Sequence, residues 1–182
     1  MKSDYEVSLE IAGPSAMFAR PDSGSTPISY PAPTRGASRA MFESVARIKS
    51  AYIQPTHVEV CAPIRYERYV TNYGGPLRKD MENSYQLIAM RLVNVCYRIY
   101  GVVRAISASP GEHNHLHALQ EIFSRRLKKG QLHYTPFLGW KEFVPSYFGP
   151  LRESSGPDGN VSTVIPSMLV ESFARPGEAL FA

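Results

Sequence analysis

The stretch VNVCYRIYGVVR, residues 93–104, decides the fold that this sequence predicts. Its residues alternate between two faces with period two, and β-branched and aromatic side chains are frequent, which favours a β-strand. Helix and strand signals compete just upstream, over residues 86–92. We therefore predict a central strand that starts at Val93 and ends near Ile106.

Three further segments predict strands on either side of this one. Residues 5–12 alternate apolar and charged side chains, which indicates a strand with one buried face. Residues 57–70 alternate in the same way, but Pro63 cannot donate a ladder hydrogen bond and indicates an edge or a bend. Residues 161–173 offer a last strand.

Two segments have the 3.6-residue period of amphipathic helices. Thr34 is a good N-cap for a helix over about residues 35–49, and residues 115–129 place their leucines on one side. Residues 71–84 contain a Gly-Gly-Pro sequence and indicate a loop or the tip of a projecting hairpin. The order strand, helix, strand, strand, helix, strand predicts an α+β, ferredoxin-like split βαβ sheet, similar to RNA-recognition modules, with both helices on one face. The open face would be free to meet RNA.

Composition indicates one globular domain. The chain has 182 residues, 43% hydrophobic and 20% charged, with a net charge of +4 and a pI of about 9.1. We predict an RNA-binding domain over residues 1–150, with residues 151–182 adding a loop and a short strand to it. Cys61 and Cys96 are expected to be buried, reduced thiols. No segment has the length of a membrane span, and we expect a cytoplasmic protein with no membrane partner.

The stretch RRLKKGQLHYTPFLGWKEF, residues 125–143, combines cations with aromatic rings. Cations bind phosphate and flat rings stack on unpaired bases, which suits a single strand of RNA. A plainer interpretation is a solvated helix end whose cations interact with the helix dipole, followed by core aromatic residues. No nucleotide-binding loop or paired-cysteine motif appears, and we predict neither a metal nor a cofactor.

Several ordered motifs resemble one known family. FSRRLKKGQ at residues 123–131 and TPFLGWKEF at residues 135–143 resemble its basic and P-x-L-G segments. SYPAPTRGA at residues 29–37, PIR at residues 63–65 and FARP at residues 18–21 resemble its other conserved stretches. The family is the fifth family of CRISPR-associated proteins, in its subtype I-C form, within the repeat-associated RNA-binding superfamily. The resemblance extends over residues 5–148.

This resemblance implies a ferredoxin-like body with a β-hairpin thumb and a place in the Cascade surveillance complex. The chain would grip and cap the 5′ handle of the CRISPR RNA, beside the backbone subunit and the large subunit. The residues predicted to contact RNA are Arg20, Tyr30, Thr34, Arg35, Arg65, Arg68, Arg125, Arg126, Lys128, Lys129, Tyr134 and Trp140.

Subtype I-C members also cut precursor RNA without a metal, and the resemblance implies the same chemistry only where its catalytic residues are present. The family site has a tyrosine after the first helix and a lysine–histidine pair before the second. Counting without gaps, these positions fall on Ala46, Ala118 and Leu119. We therefore predict no catalytic residues and a non-enzymatic RNA-binding subunit.

Two alternative functions remain open, an endoribonuclease and a structural subunit. Tyr52, in the sequence YIQP, could serve a metal-independent endoribonuclease together with His113, His115 or His117. The three clustered histidines could also bind zinc, or form an exposed polar turn before the second helix. A purely structural subunit, with a basic surface that meets protein, is the other alternative.

Overall fold

A computed structural model of the protein describes residues 5–72, 86–107, 114–172 and 179–181. The elements follow in the order β1 (Glu6–Ala16), α1 (Arg35–Val45), β2 (Ala51–Val60), β3 (Tyr66–Asn72), β4 (Gln86–Ala105), α2 (His115–Lys128), β5 (Tyr147–Gly149), β6 (Leu169–Ser172) and β7 (Ala179–Phe181). One turn of 3-10 helix, Pro21–Ser23, lies between β1 and α1. Neither described helix is long and apolar enough to cross a membrane.

β4 is the central strand, as predicted. It pairs antiparallel with β1 on one side and β2 on the other, and β5 joins the outer edge of β1. β1 and β2 are thus parallel, with β4 inserted between them, and α1 connects them. This arrangement confirms the predicted α+β class, and its strand order is compatible with the ferredoxin-like split βαβ.

β4 begins earlier than predicted, at Gln86, because its first half pairs with β3. β3 pairs with residues 86–92 of β4, from Tyr66↔Leu92 to Asn72↔Gln86. β1 pairs with β4 only from Leu92 onward, so the β3–β4 hairpin extends beyond the edge of β1. The single strand predicted over residues 57–70 is wrong, because Pro63 lies in a connection that separates β2 from β3. The predicted hairpin tip falls on residues outside the described part of the chain.

Three other boundaries differ from the predictions. α1 ends at Val45, four residues before the predicted end at 49, because the next residue already has extended backbone angles. The main sheet ends with the short β5. The predicted last strand over residues 161–173 shrinks to β6, which pairs only with β7 in a separate two-stranded sheet.

The core lies between the two helices and one face of the sheet. Leu9 and Ile11 of β1 are fully buried on this face. The rings of Phe42 and Phe123, one from each helix, lie 5.6 Å apart between their centroids. The Phe42 ring approaches the sheet at Gly101, where a Cβ atom would come within 3.0 Å of it. The apolar sides of both helices therefore pack against one face of the sheet, as predicted.

The middle of the other sheet face is covered, which corrects the expectation that this whole face is free to meet RNA. Glu10 of β1 has 0% exposure on this face. Its carboxylate accepts a hydrogen bond from Arg152 Nε at 2.7 Å and one from the Arg152 backbone N–H at 2.9 Å. Ser155 donates its hydroxyl to the same carboxylate, and Arg98 lies 3.8 Å away. The segment 152–155 is thus fastened across the middle of the sheet.

The two cysteines are free thiols, Cys61 just after the end of β2 and Cys96 on the neighbouring strand β4. The Cys61 amide donates a hydrogen bond to the Cys96 carbonyl at 2.8 Å, and both side chains are half-buried rather than fully buried as expected. Burial raises the pKa of Cys96 to about 11 and also raises that of Cys61. Both thiols are therefore protonated and unreactive near neutral pH.

Candidate nucleic-acid interface

Helix α1 carries a row of cations along one flank. Thr34 caps the helix as predicted, since its hydroxyl oxygen accepts the Ala37 N–H at 3.2 Å. Arg35 and Arg39 follow on the first two turns, and a spacing of four places them on the same side of the helix. Arg39 forms an ion pair with Glu43 at 2.8 Å.

Two adjoining cavities lie along this flank, and we call them together the α1 groove. The first, about 400 Å³, is lined by residues that include Thr34, Arg35, Gly36, Arg39, Tyr52 and Leu169. The second, about 220 Å³, is lined by residues that include Arg39, Arg47, Lys49, Tyr52 and Ile106. Because Arg39 and Tyr52 line both cavities, the two cavities adjoin at this pair, between the start of α1 and the start of β2.

Tyr52 and Arg39 form the junction of the groove. The Arg39 guanidinium carbon lies 4.9 Å from the centroid of the Tyr52 ring, a cation–π distance. β2, which carries Tyr52, is an edge strand, and it positions the ring beside α1. The junction therefore offers a cation and a hydroxyl at the midpoint of a concave surface.

The charge of the α1 groove is positive. Its lining includes the cations Arg35, Arg39, Arg47 and Lys49, and one carboxylate, Glu43. Apolar side chains at both ends supply contact area, and Ile106 is 59% exposed. Cations around a concave, partly apolar surface suit a polyanion that has unpaired bases.

Two residues of the basic stretch that were predicted to contact RNA donate hydrogen bonds to backbone carbonyls of α1. The Arg126 guanidinium donates a hydrogen bond to the Val45 carbonyl at 3.2 Å. The Tyr134 hydroxyl donates to the Ala40 carbonyl at 2.8 Å, and burial raises the pKa of this hydroxyl. The basic stretch and α1 thus form one surface.

The other cations of the basic stretch do not all reach this surface. Arg125 and Lys129 are exposed around the end of α2. Lys128 lines a different cavity, on the β1 side of α2. One run of cations in the sequence therefore divides between two sides of the helix, because successive helical residues point 100° apart.

The remaining predicted residues lie near the base of the hairpin or inside the fold. Arg20 forms an ion pair with Asp22 at 2.7 Å, which raises the pKa of Arg20. Arg65 and Arg68 are exposed at the β3 end of the β2–β3 connection. The indole of Trp140 stacks on Phe143 with centroids 6.0 Å apart and packs against the core.

The predicted RNA contact of Tyr30 requires correction. Its side chain is only 3% exposed, and its hydroxyl accepts a hydrogen bond from the Leu169 amide at 3.2 Å. The ring therefore has no free face on which a base could stack. Tyr30 instead supports Leu169, which lines the α1 groove.

Three cations that line the α1 groove were not among the residues predicted from the sequence, namely Arg39, Arg47 and Lys49. Arg39 was recognisable, because it lies off the apolar stripe of α1 and four residues after Arg35. Arg47 and Lys49 had no reliable helical signal, because both lie beyond the end of α1 at Val45. Only the chain reversal into β2 brings them to the groove.

The positions counted without gaps for the family catalytic residues are unsuited to chemistry. Ala46 and Leu119 are 2% and 1% exposed and belong to the core. Only Ala118 is exposed. A catalytic tyrosine or histidine could not reach RNA from the two core positions, so the count itself is in doubt.

Two of the three clustered histidines, His115 and His117, are described at the start of α2, and His117 lies on the far side of β4 from Tyr52. The His117 ring contacts Tyr5, which precedes β1, with centroids 5.9 Å apart. Because β4 lies between β1 and β2, two strand spacings, about 9.6 Å, separate their backbones. His115 has a buried Nε2 atom without a hydrogen-bond partner. His113 falls outside the described residues, and within the described ranges no three metal-ligating side chains come together.

Comparison with known proteins shows which family this chain belongs to. The chain is 30% identical over 192 residues to the CRISPR pre-crRNA endoribonuclease Cas5d of Thermus thermophilus, covering 94% of this chain and 80% of that protein. The chain belongs to the Cas5d family. No protein-family model matches it.

Two solved structures share the Cas5d-family fold of this chain. A crystal structure of a CRISPR-associated protein superposes with a TM-score of 0.69 at 19% identity, over 97% of this chain and 84% of the other. A functionally uncharacterized protein of Streptococcus mutans, SMU1763c, superposes with a TM-score of 0.69 at 20% identity, over 97% of this chain and 85% of the other. Both cover almost the whole chain, including the segment 151–172.

The Cas5d alignment leaves the catalytic positions open. It spans 192 residues, whereas 94% of this 182-residue chain is about 171 residues, so the alignment contains gaps. The counts that gave Ala46, Ala118 and Leu119 run over short segments beside Thr34 and Arg125, which gaps elsewhere would not change. The match of these positions to the family's catalytic residues therefore stays a prediction.

Proposed function

We propose that this Cas5d-family chain binds the 5′ handle of CRISPR RNA as a single strand along the α1 groove. The observation that carries the proposal is the pair of adjoining, cation-lined cavities beside Arg35, Arg39 and Tyr52. The name of the Thermus relative, a pre-crRNA endoribonuclease, supports RNA as the ligand. The chain would act within a Cascade complex in the cytoplasm, beside a backbone subunit and a large subunit.

Groove shape favours an unpaired strand over a duplex. An RNA duplex presents its phosphates on a convex surface and keeps its bases stacked inside. The α1 groove is concave, and its cations alternate with Tyr52 and apolar side chains. Such a surface can contact phosphates and exposed bases together, which only an unpaired strand offers.

A second candidate function is metal-independent cleavage of the precursor RNA. The activity named for the Thermus relative and the place of Tyr52 at the junction of the groove favour it. In such a reaction a base takes the proton of the ribose 2′-OH, and the 2′-oxygen attacks the adjacent phosphorus to form a 2′,3′-cyclic phosphate. The bond between phosphorus and the 5′-oxygen breaks, and the 5′-oxygen leaves with a proton from an acid. Arg39 would stabilise the negative charge that develops on the phosphate.

One experiment separates the two functions. Labelled repeat RNA is incubated with the protein in EDTA, and the mixture is analysed on native and denaturing gels. A shifted but intact RNA supports the binding subunit. A discrete cut that disappears in Tyr52→Phe supports the endoribonuclease. If the RNA is neither shifted nor cut at any protein concentration, both functions are contradicted.

Salt dependence then tests the groove itself. Arg35→Ala removes one lining cation, and the slope of log K against log salt should fall by about 0.7, the value for one phosphate contact on a single strand. Lys128→Ala removes the same charge on the other side of α2 and should leave the slope unchanged. Equal slopes for wild type and Arg35→Ala would remove the start of α1 from the binding site.

A further inference from the structure

The outer edge of β1 is only partly paired. β5 pairs with Glu10, Ile11 and Ala12, three of the eleven residues of β1. Pro150, which has no N–H, follows β5, and the chain then turns beneath the sheet to the Arg152–Glu10 hydrogen bonds. The edge of β1 from Glu6 to Leu9 therefore has no strand beside it among the described elements.

Hydrogen-bond alternation shows which backbone groups face this edge. The Val103 amide donates to the Tyr5 carbonyl, so odd-numbered residues of this strand direct their backbone groups toward β4. The Ser146 amide donates to the Ala12 carbonyl on the opposite side, so even-numbered residues point outward. The Glu6 carbonyl on this side already accepts a hydrogen bond from Gln120 Nε2 at 2.8 Å. The N–H and C=O of Ser8 also point away from β4, and no described residue bonds to either.

A cavity of about 220 Å³ adjoins this unpaired edge. Apolar groups from three elements form its wall: Val7 of β1, Phe123 and Leu127 of α2, and Leu151 after β5. Lys128 lines the same cavity and is exposed. We call the unpaired β1 edge and this cavity the β1-edge groove.

We propose that the β1-edge groove binds an extended segment of a partner protein, which pairs with β1 as an added strand in line with β5. The Ser8 amide and carbonyl would exchange hydrogen bonds with its backbone, as in β-strand addition. One apolar side chain would enter the cavity, and an acidic side chain would face Lys128. This proposal does not depend on the proposed RNA function.

Several features identify a polypeptide rather than RNA as the occupant. The unpaired donor and acceptor of Ser8 have the alternation of a strand, which another strand matches and a phosphate does not. The cavity is lined by one cation, Lys128, and one acidic residue, Glu6, whereas the α1 groove is lined by four cations and one carboxylate, so only the α1 groove has the excess of positive charge that suits phosphates. Unpaired strand edges are templates for pairing with another chain. On this edge Gln120 occupies the Glu6 carbonyl, and the Ser8 backbone groups stay unpaired among the described residues.

The test uses a pool of acetylated octapeptides that alternate threonine and valine. Each peptide carries one central leucine and one glutamate, and the glutamate replaces a different threonine in each peptide of the pool. Matched peptides are N-methylated along one edge and cannot pair with a strand. Binding is followed by fluorescence anisotropy and by the amide signal of Ser8 in a ¹⁵N-correlated NMR spectrum. We expect at least one unmethylated peptide to bind with a Kd below about 100 µM and to shift the Ser8 signal.

Two variants keep the result interpretable. Ser8→Pro removes an N–H that bonds to no described residue, and proline is tolerated where a strand N–H points outward, so folding should survive while peptide binding weakens at least tenfold. Lys128→Glu should reverse the preference, so that peptides with lysine in place of glutamate bind better. Native circular dichroism confirms that both variants fold.

Three outcomes would overturn the proposal. Equal binding of the methylated peptides would show that the cavity takes a side chain without strand pairing. Absence of binding by every peptide, with Ser8 unperturbed, would show that the edge is not a docking site. Self-association that Ser8→Pro abolishes, without peptide binding, would identify a second copy of this chain as the occupant.

Discussion

Loss of the Arg152 guanidinium should destabilise the protein strongly, because it leaves the Glu10 carboxylate buried. Glu10 has 0% exposure, and Arg152 Nε is its hydrogen-bond donor at 2.7 Å. Removing one partner of a buried ion pair costs about 3–5 kcal/mol. Arg98, at 3.8 Å, remains as a weaker counter-charge, so we expect Arg152→Met to cost about 3 kcal/mol.

A double-mutant cycle isolates the interaction. Glu10→Gln keeps an acceptor for the Arg152 backbone N–H and for Ser155, so alone it should cost about 1 kcal/mol. Once the charge of Glu10 is gone, loss of the guanidinium no longer leaves a carboxylate unpaired. The double variant should therefore be about 2 kcal/mol more stable than the sum of the single costs predicts.

The pH dependence gives an independent measurement on the same network. Burial raises the pKa of Glu10, but the hydrogen bonds from Arg152 and Ser155 outweigh it and lower the pKa below its ordinary value of 4.5. The folded state therefore binds this proton less readily than the unfolded state. The stabilisation is fully present above the unfolded pKa and decreases as the pH falls through the folded pKa.

Urea unfolding, followed by circular dichroism between about pH 7 and pH 3, measures these effects. Wild type should lose more stability on acidification than Glu10→Gln, because only wild type has this carboxylate to protonate. A cost below about 1 kcal/mol for Arg152→Met would refute the reasoning. Parallel pH curves for wild type and Glu10→Gln would refute it as well.

Three other predictions concern the body of the fold. Gly139→Ala should cost more than about 3 kcal/mol of stability, because φ is +91° and the new Cβ would clash with the Met17 carbonyl oxygen. Gly130→Ala is the control and should cost only about 1 kcal/mol, because its φ is +64° but no atom lies near the new Cβ. Thermal unfolding of both variants compares the two costs. Phe123→Ala should cost about 3–5 kcal/mol in urea unfolding, because the ring is 1% exposed in the core. Asn114→Ala should cost about 1 kcal/mol, measured in the same way, because it removes the side-chain N-cap of α2.

Local patterns were sufficient for the elements whose own residues decide their structure. Thr34 caps α1 where predicted, and α2 ends at Lys128, one residue before the predicted end. β4 was recognised from its β-branched alternation, but its first seven residues were ambiguous. Their strand conformation depends on pairing with β3, which a local pattern does not contain.

The candidate site was predictable only in part, because a groove is formed by residues from separate elements. Thr34 and Arg35 were predicted as RNA contacts and do line the α1 groove. Tyr30 was predicted for the same role and lies in the core, because its hydroxyl bonds to the Leu169 amide, 139 residues away. Lys128 was predicted with its neighbours and lines the β1-edge groove instead.

The sequence by itself determined the places of β1, of both helices and of most of β4, the cap of α1 and membership of the family, because these depend on neighbouring residues and short motifs. The tertiary structure alone decided which sheet face is covered and which cations share a groove. The Arg152–Glu10 pair shows the physical reason, since its partners are 142 residues apart. Long-range contacts of this kind depend on how the chain packs, and no local periodicity encodes them.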